Sequence, residues 1–292
     1  MIKTRIFPEH NYKGIHLNGK TIRIALNPKK PITELLYPEF YDVKVTSFCK
    51  GNCPYCYQSS IESVPHPENI IEKFKEFFEP MNENQTPFQI AFGGGEPTSH
   101  PDFAELMKVS YDMGIVPNYT TNGMWVDSDA KIRNEIMKAT VDYCGGVAVS
   151  THPHLDRQWR RSTDAYIDNN VFTNLHIIIG DKTTIDNFLE VYEEYKGKIK
   201  YFVLLPLTAQ GRATESFVDW EYFKTKVAGS PADIAFGANF YPYLCQDPSR
   251  FNVSLYEPEI MSAYLSLEDM KVCKSSFSDE EKIIGKPNET KI

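Results

Sequence analysis

The sequence predicts an α/β protein built on a parallel sheet that is open or forms part of a barrel. A short β-hairpin extension precedes it and an irregular extension follows. Three observations predict this. From about residue 41 the chain repeats strand, loop and helix through six strands. Those strands are continuous apolar or β-branched runs rather than strict alternations, as in a parallel sheet covered by helices. The 292 residues, 41% of them hydrophobic, suffice for one large domain with extensions or for two smaller domains.

Residues 1–40 read as the β-rich extension, in which the Asn-Gly of HLNGK (16–20) turns between IHL and TIRIAL. Pro28, Pro31 and Pro38 then mark a linker. The core is expected over 41–213. YDVKVT (41–46) is its first strand, and PENIIEKFKEFFEP (67–80) an amphipathic helix opened by a proline. FQIAF (88–92) is the second strand, followed by a helix over about 102–113 that Pro101 starts well. IVPNYTT (115–121) is the third, followed by a helix over 128–140 with Asp127 and Ser128 as candidate N-caps. GVAVST (146–151), LHIII (175–179) and KYFVLL (200–205) complete the strands, with a helix over about 185–196 between the last two. Residues 214–292 form the C-terminal extension, whose pattern loosens after about residue 230 into Gly-, Pro- and Asn-rich segments. The closing EEKIIGKPNETKI reads as a frayed tail.

Composition narrows the function classes. With 31 basic and 39 acidic residues the net charge is −8, which argues against long nucleic acids as substrates. The only basic density lies near Arg157, Arg160, Arg161 and Lys182. No run approaches the roughly 20 apolar residues of a membrane helix. MIKTRIFPEHNYKG lacks the apolar stretch of a secretory signal, so a cytoplasmic location is expected. Six cysteines in a chain of this length do not form a disulfide framework, and a tight local cluster of them points to metal or redox chemistry.

That cluster is SFCKGNCPYCYQSS (47–60), where Cys49, Cys53 and Cys56 follow the first strand in a C-x3-C-x2-C spacing. Loops at the C-terminal ends of strands are where βα folds build their sites. Gly51 lets the loop turn and Pro54 stiffens it, so three sulfurs curl toward one point. Structural zinc needs four ligands, and His66 or Cys144 are the available fourths. An iron–sulfur cluster takes one cysteine per iron, so three cysteines leave one iron open to a substrate or cofactor. Both readings stay open on the loop alone.

With Tyr55 before its last cysteine, the loop resembles the signature of the radical S-adenosylmethionine (radical SAM) enzymes. A second motif, AFGGGEP, ends the second strand, and Gly94, Gly95, Glu96 and Pro97 match the family's GGEP-type motif there, with Gly93 as an extra glycine. The resemblance covers about residues 41–213 and implies a partial (β/α)6 TIM-like barrel. It implies that Cys49, Cys53 and Cys56 hold a [4Fe-4S] cluster whose fourth iron is chelated by S-adenosylmethionine. One electron, from an external donor such as flavodoxin or ferredoxin, then cleaves that cofactor to a 5′-deoxyadenosyl radical that abstracts a hydrogen atom from substrate.

By the same resemblance, the glycines and Glu96 face the cofactor's ammonium. Asn122 of TTNG (120–123) and Ser150 line the cofactor pocket. Arg160 or Arg161 pairs with the methionine carboxylate, Ile178 packs on adenine, and Arg212 of LPLTAQGRA (205–213), which resembles the end of the sixth strand in peptide-modifying branches, is the candidate cofactor contact there. The alternatives are turn chemistry for Asn122 and Ser150, a solvated helix face for the arginine, and plain core for Ile178.

SAYLSLEDMKVCKSSF (262–277) resembles a degenerate SPASM or twitch-type extension. Cys245 and Cys273, even with Cys144, are too few for two further clusters, so the extension is expected to shape the substrate pocket without metal. Cys273 is either a structural buried cysteine or, as in some peptide epimerases of the family, a hydrogen donor to the substrate radical. The implied substrate is a peptide, an amino-acid-derived compound or another small molecule, with a nucleoside or nucleotide as the alternative. The first 40 residues are too short for a winged-helix peptide-binding domain, which counts against a peptide. A non-catalytic zinc protein is the alternative of another class.

Overall fold

The structure, a computed structural model, describes residues 2–17, 19–227, 231–246 and 258–285. Strands β1 (Ile2–Phe7), β2 (Tyr12–Leu17) and β3 (Lys20–Ala25) form a separate antiparallel sheet in that order. Leu17 pairs with Lys20 across the expected two-residue turn, whose Asn18 lies outside the described residues. Alternation puts Arg5, Tyr12 and His16 on the buried face. The Arg5 guanidinium donates to the carbonyls of Tyr37 (2.7 Å), Pro38 (2.9 Å), Asn84 (2.7 Å) and Gln85 (3.1 Å). Those carbonyls lie just ahead of two core strands, so one arginine pins the small sheet to the N-terminal end of the core.

The core is a nine-stranded sheet. Its strands are β4 (Phe40–Thr46), β5 (Gln89–Gly94), β6 (Val116–Thr121), β7 (Gly146–Ser150), β8 (Thr173–Ile179), β9 (Tyr201–Pro206), β10 (Ile234–Phe236), β11 (Ser262–Ser266) and β12 (Lys271–Cys273). The spatial order is β10-β9-β8-β7-β6-β5-β4-β11-β12, parallel throughout except for β12. From β4 to β10 each strand is laid beside its predecessor in one direction. A consistent crossover hand therefore sends the connecting helices to one face. These are α1 (Ile70–Phe78), α2 (Phe103–Asp112), α3 (Ala130–Tyr143), α4 (Asp156–Asp168), α5 (Lys182–Tyr195) and α6 (Trp220–Lys226). The short α7 (Tyr241–Leu244) follows. Among the described residues β10 and β12 are the two edges, so the barrel is partial and does not close.

Burial alternates along β4, β5, β6, β8 and β9, which the continuous apolar runs did not announce, while β7 is buried from Gly146 to Val149. Tyr41, Val43, Val45, Ile90, Phe92, Val147, Val149, Leu175, Ile177, Ile179, Phe202 and Leu204 join one core against the helices. The other, concave face carries Asp42, Lys44, Asn118, Thr120, Asn174 and His176, which the core leaves out. A polar concave face lined by strand residues is a place for a ligand.

Two further elements were not legible in the sequence. Helix α4 falls on the polar stretch holding Arg157, Arg160 and Arg161, where a helix face was offered only as an alternative and without bounds. In the C-terminal extension, β11 pairs in parallel with β4, matching Ser262–Ser266 to Phe40–Lys44, and extends the sheet beyond the first core strand.

Candidate functional site

The cysteine loop leaves β4 and is walled in on several sides. Cys49 and Cys53 are buried and Cys56 is half-buried. A side chain at Gly51 would lie 3.3 Å from the Cys49 sulfur and 3.6 Å from the Cys53 sulfur, so the two sulfurs border one point over that glycine. Cys56 is close enough to raise the proton affinity of both by repulsion between thiolates. Burial is the larger cause, and with it Cys49 is pushed up to about 11 and Cys53 to about 12. A cationic ligand is what would hold Cys49 and Cys53 as thiolates near neutral pH. Two donors already point at Cys49: Gly51 N at 3.3 Å and Asn122 Nδ2 at 3.5 Å.

Two residues from the far end of the core clamp this loop. Arg212 Nε donates to the Cys53 carbonyl (2.7 Å) and Nη1 to the Ser60 carbonyl (2.9 Å), while its backbone N–H reaches the Cys56 carbonyl (3.0 Å). Gly211 permits the approach: a Cβ there would sit 2.3 Å from the Cys56 oxygen. Sequence reasoning gave Arg212 a cofactor contact. The structure turns its guanidinium toward the loop's own backbone instead.

Glu96 is also reassigned. Its carboxylate is buried and accepts from Thr98 N (3.2 Å), Thr98 Oγ1 (2.6 Å), Thr121 Oγ1 (2.8 Å) and Asn122 N (2.7 Å). Three of these donors converge on Oε1 and one reaches Oε2, so the carboxylate is engaged chiefly with its own surroundings. It instead ties the end of β5 to the turn after β6 and so aims Asn122 at Cys49. Gly95 serves the loop as well, since a Cβ there would sit 2.1 Å from the Phe48 carbonyl oxygen. Gly94 packs against Thr46 in the same way, and Pro97 is buried in the short helical turn after Glu96. Open space lies over Gly93, the extra glycine, where a Cβ would meet nothing within 4 Å.

The remaining candidates divide. Ser150 and Ile178 fall on the concave side of β7 and β8, half-buried and outside the core cluster. Tyr55 places its hydroxyl 3.2 Å from His152 Nδ1, and burial lowers that imidazole to about 4, so it stays neutral. His154 Nε2 donates to the Gly51 carbonyl (2.8 Å), a second histidine from the loop after β7. Sequence reasoning passed over both; the signal was HPH directly after the fourth strand. Arg160 is not brought to the loop. It lies over the Trp159 ring and is paired with Asp156 (2.8 Å) and with Glu194 of α5, on the helix layer.

Neither candidate zinc ligand joins the cysteines. Cys144 precedes β7, at the opposite end of the strands, and donates to the Gly146 carbonyl (3.2 Å). His66 lies 3.2 Å from Thr46 Oγ1 and packs on the Phe48 and His100 rings. Among the described residues no three His, Cys, Asp or Glu side chains are gathered to hold a single ion. A cluster with one cysteine per iron spreads its ligands instead, and suits a buried loop whose sulfurs receive N–H donors.

Beside the loop lies a cavity of about 250 Å³, lined by Tyr57 and Gln58 of the loop, Lys44 of β4, Gln210 and the extension. From the extension come Tyr264, Ser266, Asp269, Lys271 and Cys273. Tyr57 stacks on Phe277 at 4.6 Å. Cys273, which the sequence left between two roles, is buried and lies on this cavity wall. Cys245 is exposed and does not line it.

Comparison with known proteins adds the following. Residues 43–208 match the family model described as the Radical SAM superfamily. A 7,8-dihydro-6-hydroxymethylpterin dimethyltransferase from Methanocaldococcus jannaschii is 33% identical over 109 residues, 37% of this chain and 21% of that protein. A PqqA peptide cyclase from Bradyrhizobium diazoefficiens is 29% identical over 82 residues, 28% of this chain and 21% of that one. The match thus spans about a fifth of each relative's length. Among solved structures, Streptococcus suis SuiB bound to its precursor peptide SuiA superposes with a TM-score of 0.62 at 11% identity, covering 85% of this chain and 62% of that one. That likeness speaks to the fold.

Proposed function

The chain belongs to the radical SAM superfamily, and from that premise we propose that it is an enzyme that cleaves S-adenosylmethionine reductively at a [4Fe-4S] cluster held by Cys49, Cys53 and Cys56. When bound, the cluster supplies the electron that releases a 5′-deoxyadenosyl radical, which takes a hydrogen atom from substrate. The observation that carries the reading is the loop itself: three cysteines, two of them buried around one glycine, with N–H donors aimed at a sulfur and, among the described residues, no fourth cysteine or histidine gathered with them.

The chain's own residues have separable tasks in this reading. Arg212, Gly211 and His154 fix the loop backbone, so the sulfurs are preorganised. Glu96 holds Asn122 against Cys49. Gly93, Ser150 and Ile178 leave room on the concave face for S-adenosylmethionine, and Tyr55 with neutral His152 borders it. The 250 Å³ cavity takes the substrate, and the extension shapes it. Cys273 lies on its wall and is the candidate to return a hydrogen atom to a substrate radical, with a structural buried cysteine as the other reading. A peptide or amino-acid-derived substrate is the reading that the PqqA peptide cyclase match supports. An external one-electron donor completes the system.

Anaerobic reconstitution tests this. The expected product is a brown protein with about four irons per chain that forms 5′-deoxyadenosine and methionine from S-adenosylmethionine and dithionite. A colourless protein, or one that binds the cluster yet releases no 5′-deoxyadenosine, would sink the reading. Cys53→Ala is expected to abolish cleavage while leaving the circular dichroism spectrum intact, and Cys245→Ala to retain it.

A further inference from the structure

We infer that Asp42 selects the substrate, and that the group it takes is a cation: the ammonium or guanidinium of a lysine or arginine side chain, or a free amino terminus. The inference rests on the cavity being the substrate site.

Asp42 is set on the concave face by its neighbours in sequence, since Tyr41 and Val43 belong to the core on the other side. Register then places it in a row. Asp42 is matched to Tyr264 of β11, and Tyr264 to Cys273 of β12. Tyr264 and Cys273 line the cavity, so Asp42 continues that wall across the sheet. It is also within electrostatic reach of the Tyr57 hydroxyl on the cysteine loop.

Among the other charged groups nearby, the Asp279 carboxylate is likewise without a hydrogen bond or ion pair among the described residues, and the rest are engaged. Lys44 is paired with Glu268 at 2.7 Å. Lys271 Nζ reaches the Asp279 carbonyl at 3.3 Å. Asp269 is held by Ser266 and by backbone N–H groups. Asp42 is solvent-reachable, yet its carboxylate has no hydrogen bond or ion pair among the described residues. Surrounding protein raises its carboxyl to about 6, with no partner to offset the cost, and it remains largely ionised at neutral pH. Asp42 stands next in the row to two lining residues, at the border of the cavity, and an unpartnered carboxylate there is a group that a ligand's cation completes. Among the lining residues Asp269 and Asp279 balance Lys44 and Lys271, so Asp42 at the border is the unbalanced charge.

Calorimetric titration of the reconstituted protein with three capped tripeptide probes tests this. The probes are acetyl-Gly-Lys-Gly-amide, acetyl-Gly-Glu-Gly-amide and Gly-Gly-Gly-amide with a free amino terminus. We expect one cationic probe to bind at least about tenfold more tightly than the glutamate probe, a difference of about 1.4 kcal/mol. Which cationic probe binds distinguishes a side chain from a terminus. Asp42→Asn should erase the preference and Asp42→Glu should keep part of it. Equal or absent binding of the basic and acidic probes, or a preference that survives Asp42→Asn, overturns the assignment. Because the titration reads binding alone, it stands apart from the 5′-deoxyadenosine assay, whose failure would count against the proposed chemistry instead.

Discussion

Two residues at the cysteine loop show how a sequence motif names the right atoms and conceals their task. Glu96 was legible as part of GGGEP, but its partners Thr121 and Asn122 lie 25 and 26 positions on, where only the parallel pairing of strands brings them. The carboxylate's charge is used to fasten one turn to another. Glu96→Gln substitutes an amide N–H₂ for an oxygen among four donors, so at least one donor is left facing another. The expected cost is about 2 kcal/mol, read as a lower urea midpoint, with Asn122 released from Cys49. Arg212 is the second case. A guanidinium reaches two carbonyls of the loop at once, which an ammonium cannot do with the same geometry. Arg212→Lys is therefore expected to leave the chain folded while lowering iron retained after gel filtration and broadening the cluster's electron paramagnetic resonance signal. Unchanged iron content and an unchanged spectrum would show that the fork does not position the loop.

At the scale of elements, the six core strands were legible because each is a dense apolar run bounded by turn residues. Which side of each strand faces the helices was not. Runs such as LHIII offer apolar atoms to both faces, and only the one-directional winding of the sheet decides that Leu175, Ile177 and Ile179 pack on helices while His176 and Ile178 turn to the concave side. The bounds of helix α4 escaped notice because its stripe of Trp159, Ser162, Thr163 and Tyr166 is mostly polar by composition and buried by position. His176 carries a consequence of the strand alternation. Its imidazole is hemmed in by protein and lowered to about 4 from 6.5, so the folded chain resists a proton that the unfolded chain accepts. The unfolded state then binds more protons between these values, and stability falls as pH drops from about 6.5 toward 4. His176→Gln removes that contribution. In urea unfolding, the variant should gain on the native chain as pH is lowered from 7 to 4.5, and a constant gap between the two would refute the assignment.

Over the whole molecule, the two ends of the chain secure opposite ends of the core. Arg5 fastens the N-terminal sheet beneath β4 and β5 through four carbonyls. At the other end Glu268, just past β11, accepts from Ser47 N (2.5 Å) and Ser47 Oγ (2.8 Å) and pairs with Lys44 (2.7 Å), while its carbonyl takes Lys73 Nζ (2.9 Å). Ser47 lies two residues before Cys49. The extension thus holds the start of the cysteine loop as well as walling the cavity, a link 221 residues long that spacing could not reveal. Glu268→Gln keeps an acceptor for one Ser47 donor but leaves the Lys44 ammonium, only 19% exposed, without its counter-charge. The expected loss is about 1–3 kcal/mol. If the clasp acts on the loop, iron retention should fall in this variant under conditions where the chain is still fully folded. Salt should mimic the change only weakly, because a half-buried pair is poorly screened. Loss of stability with full iron retention would instead confine Glu268 to holding β11 on the sheet, and would separate the cavity wall from the loop it borders.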